Sequence, residues 1–483
     1  MTTSHEQTND QLFIAGEFRT AGGDDVVTVL DPATEEPVGT VRAASSADVA
    51  DAVAAAEAAR QQLRVLDRSA RIALLASLLA AYDERADDLV DAVAAEIGLP
   101  VDYARDVQVA TGRIHLERTA AALADFAFER AAGGSRVVMA PIGIAAQITP
   151  WNWPLTQIVL KVAPALATGC ASVLKPSEFT PRQSAIFAEI VAASDLPAGA
   201  FGMVTGPGPT VGAALVDDPR VGLVTFTGST RAGKEVAAKA AAMVKRVALE
   251  LGGKSAAILL DDADVATAVP AMIDGCFDNN GQSCDAPTRL LVPRAMMDAA
   301  VEAAVAAAER HVVGDPRTDD GVTLGPVINQ RQFGHVNRLI DTAIAEGSTV
   351  ATGGPGRPDG RERGYFIRPT VFADVAADST IAVEEVFGPV TAIVGYDTVD
   401  EAVEIANSSD YGLAGYVHGV DHERAVAVAE RLDVGQVQIN CPEWEADAPF
   451  GGRKQSGYGR EGGAWGLDDY VEPIALLGDR PRA

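Results

Sequence analysis

The stretch GIAAQITPWNWPLTQIVLKVAPALATGCASVLKP (residues 143–176) decides the fold. It reads strand, helix, strand: an apolar run ending at Thr149-Pro150, a helix over about 154–168, and a second apolar run ending at Lys175-Pro176. Working outward, a helix over about 181–194, the run FGMVTG, a helix near 209–216, GLVTFTG and a helix near 231–243 continue the alternation. Strand–helix alternation at this spacing predicts right-handed βαβ units around a parallel sheet. A second series starts near 254 with SAAILLD, a helix near 264–276, TRLLVP and a helix near 294–310, followed by strands FIRPTVF, TAIVGY and GQVQIN. On the amino-terminal side, short strands over 11–43 give way to helices: one with Ser46 as its cap, one over about 67–96, and helical periodicity to about Glu129. The fold class is α/β.

At 483 residues the chain is long enough for roughly three domains of about 150 residues each. Hydrophobic residues make up 48% and charged residues 22%, which excludes a largely disordered chain. The formal net charge of −28 repels phosphate backbones and anionic membrane surfaces, so neither nucleic acid nor membrane is an expected partner. The start MTTSHEQTND lacks the basic and apolar regions of a signal peptide, and no apolar run approaches the roughly 20 residues of a membrane span. Four cysteines in so long a chain form no disulfide framework, and a cytoplasmic location is expected.

Three features carry chemistry. Gly228-Ser229-Thr230 follows a predicted strand, and Gly233 opens the next helix, an arrangement suited to a phosphate group at a helix amino terminus. The spacing is not G-x-G-x-x-G, and neither is that of GPGPTVG (206–212). Glu250, 22 residues after Gly228, and Glu178, beside Lys175 beyond a strand end, both qualify as the acid for an adenosine ribose, and spacing alone leaves the choice open. Cys284 stands in the polar, non-periodic stretch NNGQSCDAPTR, where access and mobility suit a nucleophile. Cys170, Cys276 and Cys441 read as small buried hydrophobes, and His418 and His422 as parts of a surface turn. No metal-ligand spacing is present, and no metal is expected.

Taken together these segments resemble the NAD(P)-dependent aldehyde dehydrogenase family. TPWNWP (149–154), LKPSEFTP (174–181), FTGSTRAG (226–233), LELGGKS (249–255), NGQSC (280–284), EEVFGPV (384–390) and PFGGRKQSGYGRE (449–461) occur in the family's order and at its spacing, over nearly the whole chain. The resemblance implies that Cys284 is the nucleophile, Glu250 the general base, Asn152 an oxyanion-hole donor, and Lys161 with Glu461 a pair behind the base. It implies cofactor contacts at Ile148, Thr149, Trp151, Lys175, Glu178, Gly208, Phe226, Gly228, Ser229, Gly233, Leu251, Glu385 and Phe387, which gives the ribose to Glu178. Because that carboxylate repels a 2′-phosphate, NAD is the expected cofactor, with NADP as the alternative.

The same resemblance implies a Rossmann-type dinucleotide domain (1–122 and 142–252), a related catalytic domain (253–465) and a β arm (123–141 and 466–483) that pairs with another subunit in a homodimer or homotetramer. The substrate tunnel is expected at Trp153, Gln157, Leu160, Phe277, Ser283, Asp285 and Trp444, and its aromatic members suggest an apolar or aromatic aldehyde. Asp278, Asp285, Glu443, Glu445 and Asp447 suggest instead an acidic mouth suited to an amino-aldehyde or betaine-type aldehyde. Asp285 should raise the thiol pKa of Cys284 if it points inward. A coenzyme-A-acylating enzyme is disfavoured by the presence of Glu250, and a nonenzymatic cofactor-binding protein by the presence of both Cys284 and Glu250.

Overall fold

The computed structural model describes residues 7–479, so the first six and last four residues of the expected domains lie outside the description. Two large sheets organise the chain. In the first, strands Ile144–Ile148, Ala171–Lys175, Phe201–Met203, Leu223–Thr227 and Arg246–Glu250 run parallel, as the alternating pattern requires. The chain starts at Ile144–Ile148 and adds the next two strands on one side. It then returns to add Leu223–Thr227 and Arg246–Glu250 on the other. The order therefore reverses between Ile144–Ile148 and Leu223–Thr227, and a crevice opens at the carboxyl ends of such neighbours.

The second sheet repeats the device. Ala256–Leu259 is central, with Arg289–Pro293 on one side and Ala414–His418 on the other, all parallel. Its one antiparallel pairing is that of Thr349–Thr352 with Thr370–Ala373. A third, three-stranded antiparallel sheet joins Glu129–Ala132, Ser135–Pro141 and Val471–Leu476, segments over 300 residues apart in sequence. Among the described residues no helix is long and apolar enough to cross a membrane.

Most predicted elements are present, with local corrections. The first helix, Ser46–Val65, is capped by Ser45 rather than Ser46, because Ser45 and Asp48 form a reciprocal capping box. The single helix expected over 67–96 is two, Arg68–Glu84 and Ala86–Ile97, broken at Arg85, whose φ of −110° and ψ of 10° are not helical. The following helical stretch contains a π-helical turn, Ala104–Val109, and ends at Asp125. In FIRPTVF only Thr370–Ala373 extends the sheet, after Pro369, which has no N–H to donate. Cys170 and Cys276 are buried as expected, but Cys441 is exposed, on a residue with φ of 49° just past the sheet. His418 is not in a surface turn: it ends the strand Ala414–His418 and is buried there, while His422 begins an exposed helix.

Candidate active site

A cleft of about 1200 Å³ opens where the first sheet reverses, and it extends to the second. Trp151, Asn152 and Trp153 from the turn after Ile148 line it, with Gly228 and Ser229 from the turn after Thr227. Glu250, Leu251, Cys284, Glu385, Phe387 and Gln157 complete the inner wall. Residues from seven separated motifs thus face one space. Trp151 and Phe387 meet edge to face, their ring centroids 5.5 Å apart.

Other predicted cofactor residues stand just behind or beside this wall. A β-carbon at Gly228 would lie 2.7 Å from the Phe226 ring, which brings those two together. Gly233 stands in the first turn of the helix Thr230–Ala241 against the Leu251 side chain, whose end a β-carbon there would meet at 2.4 Å. Ser229 caps that helix. At the neighbouring strand ends the Thr149 N–H donates to the Lys175 carbonyl (3.2 Å). Lys175 Nζ reaches Glu178 (3.2 Å) and the Gly206 carbonyl (3.1 Å). Gly208 begins the turn Gly208–Gly212, whose last residue lies against Ile148 and Lys175. The hydroxyl of Thr149 is buried without a hydrogen-bond partner, an unfilled donor and acceptor beside this second group.

Cys284 lies on a loop that is locked rather than mobile. The amides that flank it in sequence, Asn279, Asn280 and Gln282, are all buried. Asn279 and Asn280 take left-handed φ values of 54° and 59°, a conformation asparagine tolerates better than most residues. Asn280 donates to the Gly98 and Pro326 carbonyls and accepts from the Gly325 N–H; Gln282 Oε1 accepts from the Ile328 N–H. Asn152 Nδ2 donates to the Gln282 carbonyl at 2.9 Å, tying the predicted oxyanion donor to the cysteine loop. Burial pushes the Cys284 thiol well above its ordinary pKa, and Asp285, Glu385 and Glu250 add to the shift in that order. Asp285 itself is not among the residues that line the cleft, and neither is Ser283.

Glu250 is the last residue of its strand, which the segment Gly457–Tyr458 flanks antiparallel. Burial raises its pKa well above the usual carboxylate range; Glu461 raises it further, and Lys161 opposes. One carboxylate oxygen, Oε2, has no hydrogen-bond partner, and Oε1 lies against Gly451, where a β-carbon would come within 2.7 Å. Lys161, fully buried, pairs with Glu461 and donates to Gln157 Oε1 at 3.4 Å, which also accepts from Thr227 at 2.8 Å. A base held unpaired, next to a buried cation that serves a second acid, holds a proton more tightly than an ordinary glutamate and is equipped to take one from water.

The predicted substrate residues divide. Trp153 and Gln157 line the cleft, and Trp153 Nε1 donates to Ser283 Oγ at 2.9 Å. Phe277 does not reach it: it faces the core of the second sheet, fully buried, with its ring 5.4 Å from that of His311, because it continues the apolar face of the helix Val265–Phe277. Leu160 is buried within its helix and is not among the residues that line the cleft. Trp444 is 55% exposed and packs edge-on against His115, 5.2 Å away, in a loop also tied to the next turn of that helix by Arg118 and Asp447. Glu443 and Glu445 are exposed. Gln108, buried on the π-helical turn and bonded to both Asn152 and Asn279, is a residue that sequence reading missed. A lone glutamine in a helical stretch gives no signal of its partners.

The model of the aldehyde dehydrogenase family matches residues 18–475. The chain belongs to the aldehyde dehydrogenase family. It is accordingly an NAD(P)-dependent oxidoreductase. A 3-succinoylsemialdehyde-pyridine dehydrogenase from a Pseudomonas species is 44% identical over 97% of this chain and 98% of its own length. The structure of an aldehyde dehydrogenase C mutant from Pseudomonas syringae, in complex with NAD+ and octanal, superposes with a TM-score of 0.97 at 43% identity. It covers 99% of this chain and 100% of that one. A Mycobacterium tuberculosis aldehyde dehydrogenase complexed with NAD+ gives a TM-score of 0.95 at 39% identity, covering 99% and 100% of the two chains.

Proposed function

We propose that this aldehyde dehydrogenase oxidises its substrate to the carboxylic acid by covalent catalysis at Cys284, with NAD as cofactor. The observation that carries the reading is the convergence of Cys284, Asn152 and Glu250 on one cleft. The cleft also fits the dinucleotide: Ser229, which lines it, caps the helix Thr230–Ala241, and the buried Thr149 hydroxyl has no partner at the strand end where the Thr149 N–H bonds to the Lys175 carbonyl. Trp151, Gly228, Ser229, Leu251, Glu385 and Phe387 would hold it along the cleft, with Ile148, Lys175, Glu178, Gly208 and Phe226 toward the adenosine end. When bound, NAD supplies the hydride acceptor.

The protein's own groups do the rest. The Cys284 thiol gives its proton to Glu250, which passes it to the Lys161–Glu461 pair, as the sulfur bonds to the aldehyde carbon; the oxygen, as it becomes anionic, is held by the Asn152 carboxamide and the Cys284 N–H. Once hydride has left, the acyl group remains on sulfur as a thioester. Glu250 takes a proton from water, which attacks the thioester, releases the acid and frees the thiolate. Lys161 and Glu461 take that proton onward. We assign the first sheet to the dinucleotide and the second to catalysis. The sheet Glu129–Ala132, Ser135–Pro141 and Val471–Leu476, whose outer strands leave unpaired edges, is assigned to pairing between subunits.

Replacing Asn152 by alanine is expected to lower kcat by about 10²–10³-fold, as for other single oxyanion donors, in steady-state assays of NADH formation. A loss below tenfold would remove Asn152 from this role. NAD is expected to exceed NADP in kcat/KM by at least about tenfold, since Glu178 beside the ribose repels a 2′-phosphate. A preference for NADP would overturn the adenosine-end assignment.

For the substrate, a specific observation favours the amino-aldehyde reading over the apolar one. Of the four apolar residues assigned to the tunnel only Trp153 faces the cleft. Beyond Trp153, the Tyr103 ring lies tilted at 6.4 Å with its phenol toward Asp278, an exposed carboxylate that lies outside the cleft lining, as does the half-buried Asp285. Among the described residues no Lys or Arg pairs with either carboxylate. An ammonium at the far end of the substrate would be attracted by these two carboxylates. The neutral isostere butanal and 3-aminopropanal test this: the amine is expected to win by about tenfold in kcat/KM, and the ratio to fall toward one in Asp285→Asn and Asp278→Asn. Equal or better use of butanal by the unmodified enzyme would restore the apolar reading.

A further inference from the structure

We propose that Gln108 is a positioning residue for the reaction, setting the oxyanion donor Asn152 against the loop that carries Cys284. The inference rests on the catalytic assignment above and concerns a side chain that no motif contains. Gln108 stands on the π-helical turn Ala104–Val109, 44 residues from Asn152 and 171 from Asn279, and is fully buried. An insertion of this kind in a helix rotates the residues after it, and such turns recur at functional sites.

The hydrogen bonds close a ring of three amides. Gln108 Nε2 donates to the Asn152 carbonyl at 3.0 Å and to Asn279 Oδ1 at 2.9 Å, which uses both of its N–H groups. Asn279 Nδ2 donates to the same Asn152 carbonyl at 2.9 Å and to the Gln282 carbonyl at 3.2 Å, which uses both of its own. Asn152 Nδ2 donates to the Gln282 carbonyl at 2.9 Å, spending one N–H. Five of six amide hydrogens are thereby committed, and the sixth belongs to Asn152, which lines the cleft beside Cys284. The orientation of each carboxamide is fixed by its partners: turning Gln108 over would set its oxygen against two other oxygens.

Gln108 Oε1 is left buried without a hydrogen bond. The donor end alone is used, and it serves the two residues that fix the oxyanion site. Without it, the Asn152 carbonyl keeps one donor and Asn279 Oδ1 loses its partner, so both Asn152 and the cysteine loop gain freedom. A displacement of about 1 Å at a reacting centre costs up to about a hundredfold in rate.

The test is a double-mutant cycle in the full-length enzyme. Gln108→Leu, which keeps the volume and removes the donor, is expected to lower kcat by about tenfold or more. NAD affinity by titration calorimetry and KM for NAD should stay within about twofold. Combined with Asn152→Ala it should add little, because the donor it positions is already gone. Unchanged kcat in Gln108→Leu, or a loss that multiplies fully with that of Asn152→Ala, would overturn the proposal. Should the leucine variant fail to fold, Gln108→Asn enters the same cycle, with an intermediate loss in kcat expected and the same non-additivity required. Failure of the catalytic assignment would show separately, as full activity in Asn152→Ala.

Discussion

Cys284→Ala is expected to eliminate NADH formation while leaving NAD binding intact. A nucleophile's removal costs on the order of 10⁴-fold or more, since the remaining donors orient an aldehyde that nothing attacks. The cofactor assignment puts the binding groups at Trp151, Gly228, Ser229 and Leu251 on the first sheet and at Glu385 and Phe387 beyond the second, none of them on the cysteine loop. That loop is held by buried amide hydrogen bonds in which the thiol takes no part, so the alanine variant should fold as the parent does. Absorbance at the nicotinamide band measures turnover, and calorimetric titration with NAD measures binding. Sustained oxidation by Cys284→Ala would refute the nucleophile assignment; lost NAD binding would show that the loop shapes the cofactor cleft as well.

The second large effect belongs to Glu250→Gln. The amide keeps the shape but takes no proton, so each site should reduce about one NAD and then stall as an acyl-enzyme. The signature is a burst of absorbance followed by a steady rate lower by on the order of 10²-fold or more, with mass spectrometry detecting the acyl group on Cys284. Burst amplitude separates this from a general loss of activity, which would lower the burst too. The parent enzyme carries a related pH dependence. Glu250 acts when ionised, and burial with Glu461 nearby raises its pKa. Deacylation should therefore fail as pH drops while an ordinary glutamate would still be ionised. A flat deacylation rate down to the usual carboxylate range would contradict the assignment.

Much of the molecule is legible in the sequence because local rules write it there. The run of residues 143–250 alternates between two periods, and helices Pro154–Thr168 and Pro181–Ala193 begin and end within a residue or two of expectation, each with proline at its first position. Errors fall where tertiary contacts override local preference. Arg85 breaks a helix that propensity would continue, where its guanidinium reaches Glu189 at 2.7 Å, whereas the late start of Thr370–Ala373 after Pro369 is a local effect. The polar stretch around Cys284 reads as open and mobile because polarity without period is the signature of a loop. Its amides are instead buried, since each finds a backbone partner far away in sequence, such as Gly98 or Ile328.

The same division holds at the site. Cys284, Glu250 and Asn152 were marked by motif order, and the cleft brings them together. Phe277 and Trp444 carried the right chemistry for a substrate wall, yet one faces a core and the other leans on His115, because side-chain direction depends on how helices and loops dock. Gln108 was invisible for the converse reason: its two partners lie 44 and 171 residues away.

By itself the sequence determined the α/β class, the two series of parallel strands, the family and the residues proposed as nucleophile and base, because periodicity and motif residues are properties of short segments. Only the tertiary structure decided that the amides of the cysteine loop are buried, that Glu250 is unpaired and desolvated beside a Lys161–Glu461 pair, and that Phe277 and Trp444 stand away from the cleft. Burial, hydrogen-bond closure and the distance between charges arise from segments folded against one another, and no stretch of chain contains them alone.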